Sequence, residues 1–85
     1  MSAQGPPKSN LEERSNSNLS PSEIRCLALI AIGYSEVEIG QEFGRSANTI
    51  SILIHSAMEK LHAKSRSHAV MLSLKFGLLN IDDLR

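Results

Sequence analysis

The chain has 85 residues, with nine Lys/Arg balancing nine Asp/Glu and a single cysteine. A chain of this length forms one small domain at most, and its stability must come from well-packed helices, a metal, disulfides or a partner subunit. One cysteine excludes a disulfide framework, and His55, His62 and His68 match no zinc-ligand spacing, so no metal or other cofactor is expected.

Residues 1–18 are rich in Ser, Asn, Pro and charge. Such a segment buries too little apolar surface to offset its ordering entropy, so a disordered arm is expected. Its start, MSAQGPPKSNLEER, lacks the apolar segment of a signal peptide. Since no apolar run reaches membrane-spanning length, a cytoplasmic protein with no membrane partner is expected.

Order begins at Leu19-Ser20-Pro21-Ser22-Glu23. Ser20 and Glu23 have capping-box spacing, Pro21 falls at the first helical position, and Leu19 can act as a hydrophobic staple. The helix that follows, to about Ile32, is apolar almost all round (Ile24, Cys26, Leu27, Leu29, Ile30), which predicts a buried centre. Within it Cys26 reads as a small buried hydrophobe. Gly33 supplies the stop.

Ser35 and Glu38 form a second capping box, each such cap being worth about 1 kcal/mol. The short helix from about Glu36 to Phe43 is expected to turn Val37, Ile39, Gly40 and Phe43 inward. Gly44 ends it and Ser46 can start another, so two helices are joined by a tight glycine-containing turn, the helix-turn-helix arrangement. The third helix spans about Ala47 to Leu61. Its period puts Ile50, Ile54, Ala57, Met58 and Leu61 on one arc, with Leu53 at the edge. The opposite arc gathers Asn48, Ser51, Ile52, His55, Ser56 and Glu59, with a large apolar group and few cations. A fourth helix over about Ser67 to Phe76 is apolar on nearly every side, which leaves Met71 and Leu74 without an intramolecular partner. Gly77 closes it, and residues 80–85 form a tail.

Charge is unevenly spread. From Gly44 to Phe76 the cations Arg45, Lys60, Lys64, Arg66 and Lys75 face only Glu59. From Ser20 to Phe43, Arg25 stands against Glu23, Glu36, Glu38 and Glu42. A basic half and an acidic half say more about partners than the zero total. No constellation of nucleophile, base and acid occurs, and Ser20, Ser35, Ser46 and Ser67 suit caps, so an enzyme is not expected.

The residues Leu19-Ser20-Pro21-x-Glu23, Leu27, Gly33-x-Ser35-x-x-Glu38-Ile39, Thr49-Ile50, Lys60-Leu61, Arg66 and Ala69-Val70 resemble, in one ungapped register, the LuxR-type helix-turn-helix domain of bacterial transcription regulators. The resemblance covers about Leu19 to Leu79. It implies an all-α, four-helix domain over residues 19–79, with the third helix reading double-stranded DNA and the fourth forming a dimer contact. The family's base-contacting positions fall on Ser51, Ile52 and His55, and positions that touch phosphates fall on Ser46 and Thr49.

The residue types fit those roles in part. An exposed Ile52 can pack on a thymine methyl in the major groove, His55 can donate to a guanine or a phosphate, and Asn48 can reach an adenine edge. Arg45 lies just before the Ser46 cap, where an aliphatic residue is usual. Lys60 can anchor a phosphate or pair internally with Glu23, which the family fold brings close. Val70, Met71 and Leu74 are the expected dimer contact. Family members often carry Lys or Arg at the positions of Ser51 and His55 and histidine at that of Leu53. Alanine is common at Gly40, and glycine is usual at His62. Each lost phosphate cation lowers the salt slope of binding by about 0.9, so weak, salt-tolerant binding is expected. Such domains usually follow a receiver or ligand-binding domain, and here an arm precedes. Two readings follow: a homodimeric DNA reader, or a module that pairs with a longer LuxR-type regulator or with RNA polymerase without reading DNA.

Overall fold

A serine starts each of the four helices in the computed structural model, which describes residues 19–80 and residue 82. The arm expected over residues 1–18 lies outside the described residues, as does the tail apart from Asn80 and Asp82. Helix α1 (Pro21–Ala31) is capped by Ser20, whose hydroxyl accepts from Glu23 N at 3.1 Å, while Glu23 Oε1 accepts from Ser20 N at 2.8 Å. Helix α2 (Glu36–Phe43) repeats this box with Ser35 and Glu38. Helix α3 (Ala47–Leu61) is capped by Ser46 and helix α4 (Arg66–Lys75) by Ser65, whose hydroxyl accepts from His68 N at 3.0 Å. The fourth helix therefore begins one residue before the expected Ser67, with Ser65 as its cap. Its expected end at Phe76 is likewise one residue late. No strand occurs among the described residues, and the fold is all-α.

Helices α1 and α3 form the centre. Helix α2 packs on α3, and α4 packs on both α1 and α3. Two apolar clusters flank this central pair. Leu27, Ala57, Leu61 and Ala69 meet Leu19 and Leu79 in one; Cys26 joins Ile39, Ile50 and Ile54 in the other. Neighbouring residues Cys26 and Leu27 thus serve opposite cores, which is why α1 is apolar over so wide an arc. Leu19 fulfils its staple role at 6% exposure, with Ile24 packed against the same cluster. Leu79 is also buried, held by its backbone N–H to the Ser73 carbonyl at 3.1 Å.

Three inward and outward assignments differ from the sequence expectation. Val37 is 59% exposed, because it lies about 200° around α2 from Ile39 and only one of the two can face α3. Ser73, expected as a polar surface residue, is fully buried and donates to the Ala69 carbonyl at 2.8 Å. Leu74 is half-buried against the first cluster, so of the pair expected to lack a partner only Met71 is exposed, at 50%.

The turn between α2 and α3 explains a glycine that is a poor helix former. A Cβ on Gly40 would lie 2.5 Å from the Arg45 carbonyl oxygen, so the chain entering α3 crosses directly over this residue. Gly44 then reverses direction in the left-handed region at φ 68°, and Arg45 N donates back to the Gly40 carbonyl at 2.8 Å. His62 ends α3 in the same left-handed conformation, at φ 57°. It is the only non-glycine residue with positive φ among those described. Left-handed backbone costs a residue with a Cβ about 1 kcal/mol. His62→Gly is therefore expected to raise stability by up to about 1 kcal/mol in urea unfolding, with unchanged helical circular dichroism.

Candidate nucleic-acid interface

Helix α3 owes its orientation to a buried carboxylate on α1. Glu23 is 3% exposed and receives donors from two elements. Ser20 N donates to Oε1 from the cap, Ser56 Oγ donates to Oε2 at 2.6 Å, and Lys60 Nζ donates to Oε1 and Oε2 at 3.0 and 3.1 Å. Burial works against the charged form of Glu23. The hydrogen bonds from Ser56, Ser20 and Lys60, with the Lys60 charge, outweigh it and hold the carboxyl below its ordinary value. Ser56, placed on the outward arc by periodicity alone, is thus turned to α1. Its serine-to-glutamate bond joins residues 33 apart, and nothing in the local pattern marks it.

With that side of α3 held, the other side faces solvent. Asn48, Ile52, His55 and Glu59 are exposed and Ser51 is half-buried. Ile52 is the most exposed large apolar residue of those described, at 62%. The Nδ1 of His55 lies 2.9 Å from the Ser51 carbonyl oxygen. At the head of the helix, Ser46 Oγ lies 3.0 Å from Thr49 Oγ1 and accepts from Thr49 N at 3.1 Å. The third position of α3 holds Thr49 where α1 and α2 hold glutamate, and the first turn has no acid. This helix start keeps the positive end of its dipole and its unpaired N–H groups without a competing carboxylate, a setting that suits an anion. Arg45 is exposed beside it.

The basic half is less available than its composition implies. Lys60 is paired with Glu23, and Arg66 donates to Glu36, so two cations are spent binding the acidic half to the basic one. Arg25 lies 3.9 Å from Glu42 and near the Phe43 ring. Cys26 is fully buried, with its thiol pushed up by burial and by the Glu23 charge, so it serves packing. The three expected dimer residues share the α4 side of the molecule. Val70 and Leu74 line a shallow groove with Ile30, Ala31 and Ser67, and Met71 stands exposed on the same helix.

Helix α2, the Gly44–Ser46 turn and α3 constitute a helix-turn-helix unit, with a partly apolar outward face whose one formal charge is Glu59 and an acid-free helix start beside it. Residues 17–73 match the model of the bacterial regulatory proteins of the LuxR family, which is more than half of the chain. The chain belongs to that family, whose members are DNA-binding regulators rather than enzymes. It is similar to the HTH-type transcriptional activator RamA of Corynebacterium glutamicum, at 35% identity over 66 residues, 78% of this chain and 24% of RamA. It is also similar to the transcriptional regulatory protein YdfI of Bacillus subtilis, at 32% identity over 72 residues, 85% of this chain and 34% of YdfI. The chain therefore spans about a quarter to a third of the length of these relatives. No solved structure matches it. Among the described residues no helix is long and apolar enough to cross a membrane.

The Glu23 cluster has a pH signature. A carboxyl whose folded value is depressed contributes stability that is fully present above its unfolded value, about 4.3, and is lost as pH falls through the folded value. Unfolding free energy should accordingly drop on acidification below about pH 5, and Glu23→Gln should flatten that part of the profile while lowering stability at neutral pH. Lys60→Met should cost about 2 kcal/mol at pH 7, because it removes a charged donor from a buried carboxylate.

Proposed function

We propose that the chain binds double-stranded DNA as a sequence reader in transcription regulation, with α3 in the major groove and a second copy joined through α4. The observation that carries this reading is Ile52, exposed on a helix face that also carries Asn48, Ser51, His55 and, toward its end, Glu59. An exposed isoleucine is unfavourable in water but useful against a thymine methyl, and small polar neighbours can approach base edges. Ser46, Thr49 and the start of α3 contact a phosphate, with Arg45 beside them. Family membership and the names of the two relatives support the same role. In the dimer, Val70, Met71 and Leu74 meet their counterparts across a two-fold axis, setting half-sites about one DNA turn apart.

Selection of bound sequences from random duplex DNA at low salt tests the reading, and an inverted repeat is the expected product. Ile52→Glu should weaken binding to that site by at least about tenfold while leaving the circular dichroism unchanged. Met71→Asp, at a position exposed in one copy, should shift sedimentation toward the monomer; a wild-type chain that is monomeric at high concentration rules out the homodimer. A second reading draws on the Lys60 and Arg66 pairs, which leave few cations for phosphates: pairing with a longer LuxR-type regulator or with RNA polymerase. An Ile52→Glu variant that is silent in cells while Met71→Asp abolishes function supports that reading instead.

A further inference from the structure

The hydrogen bond that His55 makes to its own helix limits what the ring can recognise. Its Nδ1 lies 2.9 Å from the Ser51 carbonyl oxygen, one turn earlier in α3. A carbonyl oxygen only accepts, so the nitrogen facing it carries the proton, and a neutral imidazole has a single N–H. The other nitrogen, Nε2, is then a bare acceptor. The ring is exposed, on the face that carries Asn48, Ser51 and Ile52. A donor role toward guanine, allowed by residue type alone, is closed to the neutral ring because its one donor is spent on the helix.

We propose that His55 is a specificity-determining residue whose Nε2 accepts a hydrogen bond from the exocyclic amine of an adenine or a cytosine; this rests on α3 being the DNA-reading helix. In the major groove only adenine N6 and cytosine N4 donate. Guanine offers the acceptors N7 and O6, and thymine offers O4 and a methyl. A bare Nε2 set against either of those places acceptor against acceptor and leaves both without the water they had. Lysine or arginine at this position would by contrast suit guanine. The same helix with His55 therefore reads a different base class at one position, next to whatever base Ile52 covers.

Two measurements test this. Nitrogen-15 NMR of the free chain at pH 8.5, above the range in which imidazoles ordinarily titrate, should show His55 with Nδ1 protonated and Nε2 bare; the opposite tautomer overturns the proposal. Selection from random duplex DNA at the same pH should then be run on the wild type, His55→Ala and His55→Arg, all of which keep the helical circular dichroism because the side chain is exposed. The wild type should favour adenine or cytosine over guanine by about fivefold at one position. His55→Ala should lose preference at that position alone, and His55→Arg should change it to guanine. Guanine or thymine in the wild-type site at the position sensitive to His55, or no position sensitive to it, overturns the assignment while leaving DNA reading intact. No enriched sequence from the wild type overturns DNA reading itself, and this inference with it.

Discussion

A carboxylate shut between two helices governs how this domain presents itself. Glu23 sits at the third position of α1 and is grasped by Ser56 and Lys60, one turn apart on α3. Apolar packing by itself tolerates small rotations of a helix, since one methyl substitutes for another at little cost. A buried charge does not, because every donor lost leaves it unsatisfied in a medium that cannot replace water. Two donors on one helical stripe therefore set the rotation of α3 about its axis. Ile50, Ile54, Ala57 and Leu61 are then buried, and Asn48, Ile52 and His55 must look outward. The Ser20 cap shares the same carboxylate, so the start of α1 and the orientation of α3 are coupled.

That arrangement also decides where the charge goes. The acidic first half and basic second half are stitched together through Lys60 to Glu23 and Arg66 to Glu36. Both pairs join residues at least 30 apart, so they act as tertiary ties rather than as helix-surface ornaments. The outward face of α3 is left almost without formal charge. What it offers is an apolar group, hydrogen-bonding side chains and a helix start free of acids. In the proposed DNA-reading role, such a surface would gain less from counterion release than a lysine-rich one, and a larger share of its discrimination would rest on shape and on hydrogen-bond polarity. In that role it would matter whether a ring nitrogen on that face is a donor or an acceptor, and for His55 the contact of Nδ1 with the Ser51 carbonyl makes that choice.

Much of the fold is legible along the chain because helix signals are local. Ser20 with Glu23 and Ser35 with Glu38 act within one turn, and the bonds they form are the ones their spacing implies. The bounds of α2 and α3 follow from Ser35, Gly44 and Ser46 in the same way. At α4 two serines, Ser65 and Ser67, compete two residues apart, and the structure caps the helix with Ser65. For the proposed site, the exposure of Ile52 and His55 and the place of Thr49 at the head of α3 were legible from helix period and family position. It was illegible at Ser56, whose partner is 33 residues away, and at Lys60, where two roles were compatible with the sequence.

By itself the sequence determined the four helices, the caps of the first three and the apolar stripe of α3, because each depends on residues within a turn or two of one another. Cys26 as packing and the helix-turn-helix order belong to the same class. Only the tertiary structure decided that Val37 faces out and Ser73 faces in, that Leu79 returns to the core, and that Gly40 must be small beneath the Arg45 carbonyl. The reason is common to all of these. An isolated helix has an inner and an outer side only once its neighbours are in place, and a sequence period specifies which residues share a face without specifying what that face will meet.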